Sequence, residues 1–143
     1  MKIVLLVAAL VLMISAGCGD DLKQPPEVEV FSGELEVRTL YVVGTDTDQV
    51  VFTVEGTDYR LEHTTHQTRL CGSGGTVDNF GGNLITLTKI HTIPSPGCDT
   101  LHVPRGRFKA AFRSDSLILG PDTLAFGPDQ ASDSRVFTFW LSK

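Results

Sequence analysis

Phe108-Lys109-Ala110-Ala111-Phe112-Arg113, followed by Asp115-Ser116-Leu117-Ile118-Leu119-Gly120-Pro121 and Asp122-Thr123-Leu124-Ala125-Phe126-Gly127-Pro128, is the stretch whose period decides the fold class. Phe108, Ala110 and Phe112 alternate with Lys109, Ala111 and Arg113, a period of two that places the aromatic rings on one face of a strand. A seven-residue unit then occurs twice. Each copy is a short apolar run opened by an aspartate and closed by Gly-Pro, which ends a ladder because proline has no N–H to donate. This is strand and turn chemistry with no helical period.

The same period extends outward in both directions. From Arg135 to Leu141, Phe137, Phe139 and Leu141 face one way, and Val136, Thr138 and Trp140 face the other. Leu35, Val37, Thr39, Tyr41 and Val43 alternate with Glu36, Arg38, Leu40 and Val42. A turn-like cluster at Gly44 to Asp48 leads to Val50, Phe52 and Val54 on one face of a further strand. Glu55-Gly56-Thr57-Asp58 reads as a tight turn into Tyr59, Leu61 and His63. Between Cys71 and Asn83 five glycines and few large apolar residues predict a long loop. Leu84 to His91 is a β-branched strand, and Thr92 to Asp99 a Pro/Gly loop. The expected fold is all-β: one small antiparallel domain over residues 27–143, of about eight to ten short strands in meander order. An up-and-down barrel and a β-sandwich both fit.

The first residues are of another kind. Met1-Lys2 is followed by twelve residues, Ile3 to Ile14, without a polar side chain, then by Ser15-Ala16-Gly17-Cys18. A charged start, a short apolar run and a small-residue end form the layout of a secretory signal peptide. As a helix the run would rise about 18 Å, against about 30 Å for a hydrocarbon core, too short for a permanent span. Ala16-Gly17-Cys18 resembles the lipobox of bacterial lipoproteins, in which the cysteine is lipidated and becomes the mature N-terminus. Ser15 departs from it, since an aliphatic residue is usual there and Ile14 lies one place earlier. The resemblance covers residues 1–18 alone. It implies a signal peptide at 1–17, acyl chains (palmitate among them) on Cys18, and an extended tether through Pro25-Pro26. An ordinary secreted protein cut after Gly17 is the alternative. Gly19 next to the lipidated cysteine, where enterobacterial lipoproteins retained at the inner membrane carry Asp, implies an outer membrane in a cell that has two.

Charge and cysteines bear on the same expectation. The formal net charge is −5, which gives the chain as a whole no attraction to nucleic acid or anionic headgroups. Membrane attachment is therefore expected through acyl chains, and stable anchoring takes more than one. With Cys18 lipidated, the other two of the three cysteines, Cys71 and Cys98, are left to form a disulfide in an oxidising compartment. The loop closed would be worth on the order of 3–4 kcal/mol.

No constellation carries a specific chemistry. His66, Cys71, Cys98 and His102 would make a Cys₂His₂ zinc set, but without a Cys-x-x-Cys spacing and in an oxidising space they read as a disulfide with two loop histidines. His63 and His66 differ in strand parity, and His91 stands on another strand; exposed strand histidines are the expectation. Asp115, Asp122 and Asp129 recur every seven residues and Asp46 and Asp48 sit in another cluster, which reads as turn chemistry rather than a calcium loop. Ser73 in Gly72-Ser73-Gly74-Gly75 lacks the nucleophile-elbow spacing. The expectation is a non-catalytic, membrane-tethered envelope lipoprotein without a cofactor, binding a small apolar ligand or an envelope protein and no nucleic acid. Phe108, Phe112, Phe126, Phe137, Phe139 and Trp140 are the candidate apolar lining, with plain core packing as the alternative. The rival function is an enzyme with a metal or histidine site at His63, His66, His91 and His102.

Overall fold

The computed structural model of the chain describes residues 26–39, 44–65, 67–100, 103–122 and 135–143. It contains eight strands: β1 (Val28–Thr39), β2 (Thr45–Glu55), β3 (Asp58–His63), β4 (Gly72–Asp78), β5 (Leu84–Ile93), β6 (Gly106–Phe112), β7 (Ser116–Pro121) and β8 (Arg135–Ser142). Each pairs antiparallel with the next, and β1 pairs with β8 as well as with β2, so the sheet closes into an up-and-down barrel. The all-β expectation holds, and of the two architectures the chain adopts the barrel.

The period of two becomes an inside and an outside. On β2, Asp48, Val50, Phe52 and Val54 are buried, with Gln49, Val51 and Thr53 between them. Register brings Phe31 opposite Phe52, Leu35 opposite Phe139 and Ile85 opposite Phe108. These side chains form one continuous core, with Phe108 and Phe139 edge to face at 5.8 Å and Phe52 near Tyr59 at 5.8 Å. A small barrel has an interior that side chains can fill. Its outer face carries Glu34, Glu36, Arg60 and Lys109, the reverse of a membrane-spanning barrel with its apolar outer band.

The candidate apolar lining separates accordingly. Phe108, Phe137 and Phe139 are core residues, and Phe112 is partly buried against Phe80. Trp140 points outward and is 49% exposed, so it lines no interior. Phe126 lies outside the described residues. Phe31, Phe52, Tyr59 and Phe80 complete the aromatic core.

Three local expectations are corrected. The glycine-rich stretch after Cys71 is strand β4, not a long loop, because its glycines lie where neighbouring backbones come close. A Cβ on Gly72 would approach the Leu61 carbonyl oxygen, and one on Gly75 would fall on the Thr88 carbonyl oxygen, at the bulge in the β4–β5 register. Secondly, the Gly44–Asp48 cluster is no turn beyond Gly44: β2 starts at Thr45 and Asp48 is already interior. Thirdly, β1 begins at Val28, well before Leu35, and β5 continues to Ile93. Tyr41 and Val43 lie outside the described residues, as do the second seven-residue unit from Thr123 onward and Asp129. The turn at Gly56 stands as expected, with φ +60° at that glycine.

Candidate functional site

Up-and-down order sends alternate connections to opposite ends, and the two ends differ. At one end lie Thr39, His63, Ile93 and Pro121, the last residues of β1, β3, β5 and β7; at the other lie 56–57, 79–83, 113–115 and the start of β1. The described residues between strands at the first end, 64–65, 67–71, 94–100 and 103–105, form its rim. In a barrel whose interior is filled, the rim and the outer face are what remain for binding.

Two devices organise that rim. The first is the disulfide between Cys71 and Cys98, with Cα atoms 5.0 Å apart, joining 64–71 to 94–105. Backbone bonds reinforce it: Asp99 N–H donates to the Arg69 carbonyl at 2.6 Å, and Cys71 N–H to the Asp99 carbonyl at 3.3 Å. Cys98 is in the loop as expected, while Cys71 immediately precedes a strand. Two sulfurs bonded to each other are not thiolates for a metal.

The second device is Asp48, whose side chain has no exposed surface. Its Oδ1 accepts from Thr65 Oγ1 at 2.9 Å and from the Gln67 N–H at 2.7 Å. Its Oδ2 accepts from His63 Nδ1 at 3.0 Å, from the Thr68 N–H at 3.3 Å and from the Thr68 hydroxyl. The bond to the carboxylate places a proton on His63 Nδ1. Burial pushes the Asp48 carboxyl up, but the bonds from Thr68, Gln67, Thr65 and His63 together more than reverse this, so its pKa lies below the ordinary aspartate value. Asp48 thus ties the start of β2 to the connection after β3. A histidine oriented by a carboxylate supplies two of the three members of a catalytic triad; here the carboxylate is saturated by the loop it holds.

The rival histidine site does not form from the described residues. His63 is not solvent-exposed as expected: its side chain is 1% exposed, drawn inward by Asp48. His91 is exposed, on the outer face of β5, beside Gly74 where a Cβ would meet its ring. The two face opposite sides of the sheet with β4 between them. His66 and His102 lie outside the described residues. Among the described residues no group of three or more His, Cys, Asp or Glu side chains is placed to hold a metal ion. Ser73 is buried, its hydroxyl 3.4 Å from the Tyr59 hydroxyl, and burial pushes that phenol up.

Cations collect at one sector of the rim. Arg107 donates to Asp122 at 2.7 Å, and the Asp122 side chain is 1% exposed, a buried anchor rather than a solvated turn residue. Arg135 lies 3.5 Å from Asp99, and Lys89 Nζ donates to the Thr100 carbonyl at 3.2 Å. Arg105, Arg107 and Arg135 line one small cleft with Pro121 and Asp122. A groove of about 470 Å³ lies beside it, between Thr86, Thr88 and Lys89 of β5 and Arg105. The groove exists because β5 and β6 pair only from Leu84–Lys109 to Leu87–Gly106, after which β5 runs on without β6.

Sequence reasoning missed both Asp48 and this sector. Nothing local distinguishes Asp48 from Asp46. The arginines had a visible signal: they occupy the polar phase of the strand whose apolar phase is Phe108, Ala110 and Phe112. Comparison with protein-family models, with curated proteins and with solved structures found no match.

Proposed function

We propose that this protein is an exported lipoprotein, acylated on Cys18, whose barrel is a non-catalytic binding module held at a membrane of the cell envelope. The observation that carries the reading is the bond between Cys71 and Cys98, which leaves Cys18 as the single remaining cysteine, directly after Ser15-Ala16-Gly17. Geometry adds an orientation. β1 starts at the short-turn end of the barrel, so a tether from Cys18 to Pro26 arrives opposite the rim. Nine residues reach at most about 30 Å when extended, which in this reading keeps the short-turn end the nearer of the two to the lipid. The filled core argues for binding at the rim or the outer face rather than for an apolar ligand inside. Gly19 favours the outer membrane in a two-membrane cell.

The test is Cys18→Ser in a bacterial host fed a labelled fatty acid. Wild type is expected in the membrane fraction, labelled; the variant is expected to be unlabelled and released from that fraction. A variant that stays membrane-bound, together with a wild type that never takes up label, would contradict the reading.

A further inference from the structure

The chain is acidic as a whole, but its acids are concentrated on one side. Glu34 and Glu36 on β1, Glu55 on β2, and Asp58 and Glu62 on β3 lie on the far side of the barrel from β6, where Arg38 pairs with Glu36 and Arg60 with Glu62. On β6 itself Arg107, Lys109 and Ala111 are exposed, and strand alternation puts successive members about 6.8 Å apart on one face. Exposed Arg105 and Arg113 flank the strand at its two ends, and Arg105, just ahead of Gly106, lines the same cleft as Arg107.

The neighbours of this row carry no charge of either sign over its middle. On the β5 side, Leu84 stands opposite Lys109 and Thr86 opposite Arg107; on the β7 side, Gly120 stands opposite Lys109 and Ile118 opposite Ala111. A Cβ at Gly120 would meet nothing within 4 Å, so the flank of Lys109 is open. Acids meet the row at two places: Asp122 bonds Arg107, the second member, and Asp115 lies in the turn beyond Arg113. Among the described residues no carboxylate pairs with Arg105, Lys109 or Arg113.

We propose that the β6 row is a binding track for a linear polyol-phosphate polymer, not a nucleic acid, which deepens the reading of the barrel as a binding module and rests on it. Three observations select this occupant. The cations are in single file, which matches a chain rather than a compact anion. Three of the four are arginines, whose planar forks suit phosphate oxygens, and Arg107 is held in place by the buried Asp122. The strands of a closed barrel tilt by about 35–45° to its axis, so the row winds around the surface. A flat lipid surface meets a cylinder along a line and cannot follow such a row, whereas a flexible polymer can.

The experiment uses the full chain in detergent. The probes are synthetic poly(glycerol phosphate), polygalacturonate of matched charge, and vesicles of phosphatidylglycerol. Arg105, Lys109 and Arg113 are changed together to Gln, and Arg107 is kept because its removal would strand Asp122. Four phosphate contacts should make poly(glycerol phosphate) affinity fall roughly 50-fold between 50 and 200 mM salt, and the triple variant should reduce this dependence to about 3-fold. Thermal unfolding of the variant should match wild type, which separates lost binding from lost fold. A Glu34→Gln, Glu36→Gln control should leave affinity undiminished. No binding of poly(glycerol phosphate), or a salt dependence unchanged in the triple variant, would overturn the track. Equal affinity for polygalacturonate would overturn the phosphate assignment, and binding to vesicles alone would overturn a polymer in favour of a membrane surface. None of these results bears on acylation of Cys18, which the fractionation test decides separately.

Discussion

A carboxylate without exposed surface is unfavourable unless its oxygens are paired, and Asp48 meets that demand with partners 15 to 20 residues away in sequence. That distance explains why the sequence shows an aspartate in a polar cluster and nothing more, and why His63 looks like an exposed strand histidine. Only the register of β2 on β3, with Val50 opposite His63, brings the groups together. Asp48→Asn keeps one acceptor oxygen but turns an amide toward donors, and should cost roughly 1–3 kcal/mol at neutral pH. The pKa shift fixes the sign of its pH dependence. Because the folded carboxyl titrates below its unfolded value of about 3.9, its contribution is fully present above about pH 4 and is lost as pH falls through the folded pKa. Urea unfolding of wild type and Asp48→Asn should show a gap that narrows as pH falls below about 4. A gap independent of pH would contradict the assignment.

Strands with a polar and an apolar phase were legible as elements, and β2, β3, β6, β7 and β8 follow their alternation. β4 was not, because Gly72, Ser73, Gly74 and Gly75 supply no phase to read. What makes them a strand is the nearness of β3 and β5, a property of the partners rather than of the segment. Gly75→Ala should therefore be costly although alanine is the better β residue, since its Cβ would overlap the Thr88 carbonyl oxygen. An overpacking loss of about 1–3 kcal/mol is expected. Gly81→Ala instead meets open space and carries only the strain of φ +92°. Equal stability of Gly75→Ala and wild type in denaturant titration would mean that β4 does not lie where the register puts it. β6 teaches the complementary lesson: its apolar phase identified the core, and its other phase held the cations.

At the scale of the whole molecule, one number misled and one pattern did not. The net charge of −5 averages an acidic side and a basic row, so it is a poor guide to where partners are drawn. The succession of short strands and turns, by contrast, specified a meander, and closure of β1 on β8 completes it. The rim at one end and the start of β1 at the other give the barrel a polarity that suits a module tethered by its N-terminal side. The cysteines unite this with the proposed processing: one for lipid, two for the rim. Intact mass of the protein purified from bacterial membranes, before and after reduction, tests that union most directly. The expected species begins at Cys18, carries the added mass of acyl chains, and gains two hydrogens on reduction as the Cys71–Cys98 bond opens. A mature protein without acyl mass, or one still carrying residues 1–17, would contradict the account.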